Sequence, residues 1–146
     1  MLILKRNFQL PHQKGVTMIE VLVAIIVLSI GLLGLAGLQS AGLTYNQSAS
    51  FRSTATMMTY SILDSMRANR TGAINGSYNI AIGTSIPSGS TIPEQDLNNW
   101  LNELALRLPA GAGAINVAGN VVTVIVQWDD SRGTLAAQQF ILTTQL

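Results

Sequence analysis

The sequence contains no cysteine, and His12 is its only histidine. The absence of cysteine excludes disulfide bonds, thiol catalysis and cysteine-ligated metal sites, although it leaves the redox compartment open. We find no catalytic residue, no metal site and no cofactor motif. Asp129 and Asp130 suggest a cation ligand pair, but no further oxygen ligand follows at a regular spacing, which favours a solvated turn. We therefore expect that the protein is not an enzyme.

Charged residues are also scarce, and they are unevenly distributed. They make up 10% of the chain, and the formal net charge is +1. Three of the eight basic residues, Lys5, Arg6 and Lys14, lie in the first fifteen positions. Residues 16–146 therefore carry five basic and seven acidic residues, a net charge of −2. A mildly acidic remainder of this kind provides no basic face, so we expect no nucleic-acid partner.

One long segment has no charge at all, from Val21 to Phe51. The strongly apolar segment, residues 16–38, overlaps this uncharged stretch. It would form a helix about 34 Å long, and the hydrocarbon core of a bilayer is about 30 Å thick. The sequence therefore predicts a single membrane-spanning helix, and the basic residues before it predict a cytoplasmic N-terminus. A cleaved secretory signal peptide and an ordinary single-span anchor are the alternatives.

The residues at the start of this segment form a recognisable junction. Residues 14–24 read Lys-Gly-Val-Thr-Met-Ile-Glu-Val-Leu-Val-Ala. A basic leader, Gly15, Glu20 at a fixed offset and an uncharged span together resemble the class III leader junction of type IV pilins and type II secretion pseudopilins. The resemblance implies that a membrane prepilin peptidase cuts between Gly15 and Val16, that the new amine of Val16 is methylated, and that His12 is removed. Val16 departs from the phenylalanine that the family usually has there.

Glu20 is the one carboxylate in the apolar segment. An ionisable group in a membrane-length segment costs roughly 2.5–3.5 kcal/mol, so its presence indicates a function. Cleavage after Gly15 would create a cation nearby, the amine of Val16, and a neighbouring subunit could bring its own amine to Glu20. We predict that Glu20 sets the register of subunits during assembly. The alternative is a carboxylate that extends to the lipid headgroups near the end of the helix.

Small residues mark the second half of the apolar segment, where Gly31, Gly34 and Gly37 recur every third residue. Glycine allows membrane helices to approach closely, so we predict that these three residues pack against neighbouring helices. The alternative is that a membrane helix simply tolerates glycine.

Beyond the apolar segment, the sequence predicts that the helix continues to about Ala68. Its outer half, residues 41–68, has apolar residues at spacings of four, three, four and four, which define one face. These residues are Phe51, Ala55, Met58, Ile62 and Met66. The resulting division is a leader at 1–15, a membrane and filament-core helix at 16–40, the outer half of the helix at 41–68, and a small α+β globular domain at 69–146.

The remaining residues predict short elements. We expect a breaker at 69–76, a short strand at 77–82, a loop at 83–90, and a helix that begins after Thr91 and ends at Leu108. A flexible connector at 110–114, a strand at 116–128, a turn at 129–133 and a strand at 138–146 follow. The predicted fold class is α+β, with a long N-terminal membrane-spanning helix packed on a small antiparallel sheet, as in pilins.

Two runs, residues 20–24 and 31–35, resemble the PilV-type modification pilins, as does the short C-terminal domain. The resemblance implies a minor pilin that primes the assembly of a type IV pilus and lies near its tip. Its partners would be other minor and major pilins, the prepilin peptidase and methyltransferase, the inner-membrane assembly platform and membrane lipid. It would cross the inner membrane once, with a periplasmic C-terminal domain, before it enters the pilus fibre. A minor pseudopilin and a membrane-anchored binding domain that does not polymerise remain as alternatives.

Overall fold

The computed structural model describes residues 15–131 and 133–146, and in these ranges it confirms the predicted α+β class. The helices are α1 (Met18–Ala68), α2 (Arg70–Ile74) and α3 (Ile92–Arg107). The strands are β1 (Ala112–Ala118), β2 (Val121–Trp128) and β3 (Gln138–Gln145), which form one antiparallel sheet in the order β1-β2-β3. The chain divides into two compact units, residues 1–43 and residues 44–146, and the first is described from Gly15 onward.

The first unit consists of the apolar part of α1. An 18-residue window of this helix has a mean hydropathy of 2.8, and none of the window is buried. By length and composition, it is the one helix in the described part of the chain that is able to cross a membrane. The helix begins at Met18, two residues later than the sequence predicts, because Thr17 ends the non-helical segment with a hydrogen-bonded cap.

The second unit has its own apolar core, to which the outer half of α1, α3 and the sheet all contribute. The predicted helix face is confirmed, since Ala55, Ile62 and Met66 are buried and Phe51 and Met58 pack against them. The buried side chains from α3 and the sheet are those of Leu97, Trp100, Leu101, Leu104, Ile115, Val122, Val124, Val126 and Trp128. Burial of each large aliphatic or aromatic side chain contributes about 1.5–3 kcal/mol.

Helix α3 has the predicted cap and the predicted apolar stripe. The Thr91 hydroxyl and backbone N–H donate to the Glu94 carboxylate over 2.6 Å and 3.0 Å, and these bonds lower the pKa of Glu94. Along its buried stripe, the Trp100 indole Nε1–H donates to the backbone carbonyl of Met58 over 3.0 Å. This bond joins α3 to α1 within the core and satisfies the polar atom of the indole.

Two predictions between α1 and α3 are wrong in detail. Residues 70–74 form the short helix α2, where we expected a breaker, although Gly76 does adopt the left-handed φ of 78° that a turn requires. Residues 77–82 do not form a strand, because only Ile80 pairs, with Ile115. The alternation of apolar residues in this segment reflects the burial of Tyr78 rather than a full ladder.

The segment from residue 110 to residue 128 contains two strands, where the sequence predicts one. The predicted connector at 110–114 and the predicted strand at 116–128 are instead β1, a turn at 119–120, and β2. Gly119 has a φ of 61°, which permits the turn. Position 113 in β1 is occupied by glycine because a Cβ there would overlap the Trp100 ring. The prediction for β3 is confirmed, with Phe140, Leu142 and Thr144 on the less exposed side.

Candidate assembly site at the start of the apolar helix

The segment that contains the expected cleavage point lies just before α1. Gly15, Val16 and Thr17 have no regular secondary structure, and the helix starts at the next residue. The backbone N–H of Glu20 donates to the carbonyl oxygen of Thr17 over 3.1 Å and to its Oγ1 over 3.4 Å. Thr17 is therefore the N-cap, because its oxygens satisfy a donor that the first turn of a helix leaves unpaired.

Glu20 occupies the third position of the helix, where its carboxylate faces the positive end of the helix dipole. Its side chain is exposed. Within residues 15–131 and 133–146 the ion pairs are Arg67–Asp64 and Arg107–Glu103, and neither involves Glu20. A cation that pairs with Glu20 would therefore come from outside this part of the chain.

Thr17 has a role in this arrangement that the leader junction alone did not indicate. Thr17 and Glu20 have the Ser/Thr-x-x-Glu spacing of a capping box, which is a readable signal for the start of a helix. The same signal at Thr91 and Glu94 correctly predicted the start of α3. Of the two side-chain bonds that define a capping box, Thr17 and Glu20 make one, from the Glu20 backbone N–H to Thr17 Oγ1.

The surface that follows Glu20 is almost wholly apolar. The large apolar side chains between Val16 and Leu38 are 46–91% exposed. Soluble monomers seldom expose contiguous apolar patches larger than a few hundred Å². Ser29 is the polar exception, and its hydroxyl donates to the Ile25 carbonyl over 2.7 Å, which satisfies it within the helix. Such a surface requires lipid or other helices around it.

Gly31, Gly34 and Gly37 have no steric role in the isolated chain. A Cβ added at any of the three would meet nothing within 4 Å. The structure therefore places these residues on open helix surface, where a second helix would find no side chain in its way. Their predicted packing role concerns contacts between chains.

Asp129 and Asp130, whose adjacency suggested a cation ligand pair, are held by hydrogen bonds. The Asp129 carboxylate accepts bonds from the Ser131 hydroxyl (2.6 Å), the Ser131 N–H (2.8 Å) and the Gly133 N–H (2.6 Å), and its bonds to Ser131 are the main cause of its lowered pKa. Asp130 accepts a bond from the Ser48 hydroxyl over 2.9 Å. In the described part of the chain, no group of three or more His, Cys, Asp or Glu residues is placed to hold a metal ion.

Comparison with known proteins identifies the junction. Residues 10–36 match the family described as the prokaryotic N-terminal methylation motif, and this range includes Gly15, Val16, Glu20, Gly31 and Gly34. No curated protein and no solved structure matched the chain. Together with the exposed apolar helix, the motif supports a protein of the type IV pilin-like or pseudopilin class. The motif and the apolar helix also indicate single-pass membrane anchoring, and proteins with this motif are generally structural.

Proposed function

We propose that this protein is a minor pilin that takes part in the priming and assembly of a type IV pilus, near the tip. The observation that carries the proposal is the methylation motif at residues 10–36, which continues into a helix whose apolar surface is exposed. A membrane holds such a helix after synthesis, and a bundle of similar helices would bury it in a filament.

Leader removal and pairing of Glu20 are the proposed chemical steps. Cleavage between Gly15 and Val16 releases a basic leader and leaves an amine at Val16, which is then methylated and keeps its charge. Two opposite unit charges 4 Å apart attract by about 4 kcal/mol at an effective dielectric constant of 20. This attraction is similar in size to the roughly 2.5–3.5 kcal/mol cost of a charged side chain in the membrane. Pairing of Glu20 with the amine of a neighbouring subunit would therefore offset that cost.

Two features favour a minor subunit among pilins. The chain has no cysteine and therefore lacks the disulfide-closed C-terminal loop of many pilins. In addition, residues 20–24 and 31–35 resemble the PilV-type modification pilins. We propose that the N-terminus is cytoplasmic, that the C-terminal part is periplasmic before assembly, and that the protein then enters the pilus fibre. Its partners would be other pilins, the prepilin peptidase and methyltransferase, and the inner-membrane assembly platform.

N-terminal mass spectrometry of the membrane-extracted protein tests the proposal. The expected mature chain starts at a methylated Val16, because the motif places the cut after Gly15. An uncut N-terminus would contradict the proposal and would favour a membrane-anchored binding domain that does not polymerise.

A minor pseudopilin of a type II secretion system is the second candidate, since its leader junction looks the same. Copurification of the mature full chain separates the two. Recovery with pilus tip subunits supports the minor pilin, whereas recovery with components of the secretion system favours the pseudopilin.

A further inference from the structure

The two edges of the sheet differ in how their backbone groups are satisfied. At the β1 edge, Ile80 and Ile115 exchange two backbone hydrogen bonds of 3.0 Å and 2.9 Å. The N–H of Val117, the next outward residue on this strand, donates to Oδ1 of Asn79 over 2.8 Å. The segment before α3 thus covers this edge with both backbone and side-chain partners.

The β3 edge has no such cover in the described part of the chain, where β3 is the last strand of the sheet. The N–H of Leu146 donates to the carbonyl of Asn120, which lies directly opposite. Because hydrogen-bonded pairs alternate along antiparallel strands, the even-numbered residues of β3 bond to β2. The outward N–H and C=O groups are therefore those of Gln139, Ile141, Thr143 and Gln145.

The hydrogen bonds on the β1 side of the sheet show independently which residues of β3 direct their backbone groups outward. Ile115 bonds outward to Ile80, so its neighbours Ala114 and Asn116 bond to Ile125 and Thr123 of β2. This leaves the even-numbered residues of β2 to bond to β3. The register of β2 and β3 then pairs Val124 with Leu142 and leaves Ile141 facing outward.

Strand β3 also lacks the features that usually protect an edge. Natural edge strands are blunted by charged side chains, proline, bulges or short length. Residues 138–145 contain no charged residue and no proline, and they pair with β2 in an unbroken register of eight residues. Ile141 on this strand is 55% exposed.

The exposed side chains beside this edge are held in place and are also uncharged. Thr143 shares a hydroxyl hydrogen bond of 3.0 Å with Thr123, and the Gln139 amide donates to Gln127 Oε1 over 2.9 Å. Between these two pairs, Ile141 lies opposite Ile125. An incoming strand would meet a fixed row of amide, aliphatic and hydroxyl groups at Gln139, Ile141 and Thr143, and Arg52, which donates to Gln138 Oε1 over 3.4 Å, lies only at the start of the strand.

We propose that β3 binds an extended, uncharged segment of another protein chain as a fourth strand of this sheet. Four residues with outward donors and acceptors at strand spacing match an extended backbone, and the uncharged row beside them selects against charged segments. The proposal goes beyond the assembly role of the apolar helix, and it does not depend on leader cleavage or on Glu20.

Amide hydrogen exchange on the full chain in detergent micelles tests this proposal. The probe is a terminally blocked peptide with the sequence of residues 138–146, which is uncharged and offers the same pattern of outward groups. We expect the peptide to slow exchange of the amides of Gln139, Ile141, Thr143 and Gln145 by about tenfold, because it would give each a partner. The amide of Ile115, which is already paired, should not change.

Two matched variants complete the test. Ile141→Lys places a charge at the edge and should abolish the slowing, whereas Leu106→Lys on α3, where the leucine is 79% exposed, should retain it. Thr143→Lys is the second edge variant if Ile141→Lys does not fold. Unchanged exchange at the four amides, or equal slowing in the folded edge variant, would overturn the proposal.

Discussion

At the scale of single residues, Glu20 is a carboxylate in an apolar segment with no ion-pair partner among residues 15–131 and 133–146. Glu20→Gln keeps the shape of the side chain and the cap from Thr17, but it removes the charge. We expect incorporation of the variant into filaments to fall by about tenfold, since a lost charge-assisted contact of about 1.4 kcal/mol has this effect. Quantitative blotting of sheared filaments measures it.

The matched control for this prediction is Glu103→Gln, which removes an exposed carboxylate paired with Arg107 on α3. This variant should enter filaments as well as the parent protein does. If Glu20→Gln also enters as well as the parent, Glu20 does not pair with a subunit amine.

Tyr78 differs from Glu20, because the partners of its polar group lie within the fold. Its hydroxyl donates to Asp96 Oδ2 over 2.6 Å and accepts from the Asn69 amide over 3.4 Å. Burial, together with the bond to Asp96, raises the pKa of Tyr78 to about 12. The folded state thus keeps a proton that the unfolded state loses above its ordinary pKa of 10.0.

This shift predicts a dependence of stability on alkaline pH. The contribution of Tyr78 is fully present below pH 10, and it is lost as the pH rises from about 10 to about 12, by at most about 1.4 kcal/mol per pH unit. Tyr78→Phe should remove this decline and should lower the stability at pH 8 by about 1.5–3 kcal/mol. Denaturant unfolding at several pH values tests the prediction, with Tyr60→Phe, whose tyrosine is 51% exposed, as the control. An unchanged alkaline decline in Tyr78→Phe would contradict it.

At the scale of the element, replacement of a glycine in α1 should change the stability of the helix and its packing against other helices in opposite directions. Gly34→Ala meets no atom within 4 Å in the isolated chain and should favour the helix by about 1 kcal/mol. In a filament, the added methyl group would prevent close approach of another helix. A loss of about 1.4 kcal/mol in this contact would lower incorporation by about tenfold, which is the result we expect. Gly42→Ala, equally free of contacts in the isolated chain, is the control. Equal incorporation of both variants would show that Gly34 does not lie at a helix contact.

The elements with a strong local pattern were predictable from the sequence. The face of α1 that contains Ala55 and Ile62 follows from its helical spacing, and α3 follows from its cap and its apolar stripe. Strand β3 follows from its alternation, and the apolar helix with its leader junction follows from composition and from the positions of Gly15 and Glu20.

The elements that the sequence did not reveal depend on tertiary contacts. Residues 110–114 look flexible because they are small, but Gly113 is small because the Trp100 ring packs directly over β1. The alternation at 77–82 suggests a strand, yet Asn79 uses its side chain, rather than its backbone, to satisfy Val117. No local pattern carries this information.

At the scale of the whole molecule, the buried core lies entirely within the second compact unit, residues 44–146. We expect a fragment of these residues to be soluble and to unfold cooperatively. A fragment of residues 69–146 lacks Ala55, Ile62, Leu63 and Met66 from the core, and we expect it not to fold, because truncation of one large core side chain already costs about 2–5 kcal/mol. Near-ultraviolet circular dichroism during thermal unfolding compares the two. Cooperative unfolding of the shorter fragment would contradict this expectation.

The late start of α1 has a consequence for processing. Because Thr17 caps the helix, the proposed scissile bond between Gly15 and Val16 lies in unwound backbone. Proteolytic enzymes act most readily on chain that is not held in a helix. A peptidase that acts here would therefore have no helical hydrogen bonds to break before catalysis, and the new terminus at Val16 would lie two residues before the start of α1.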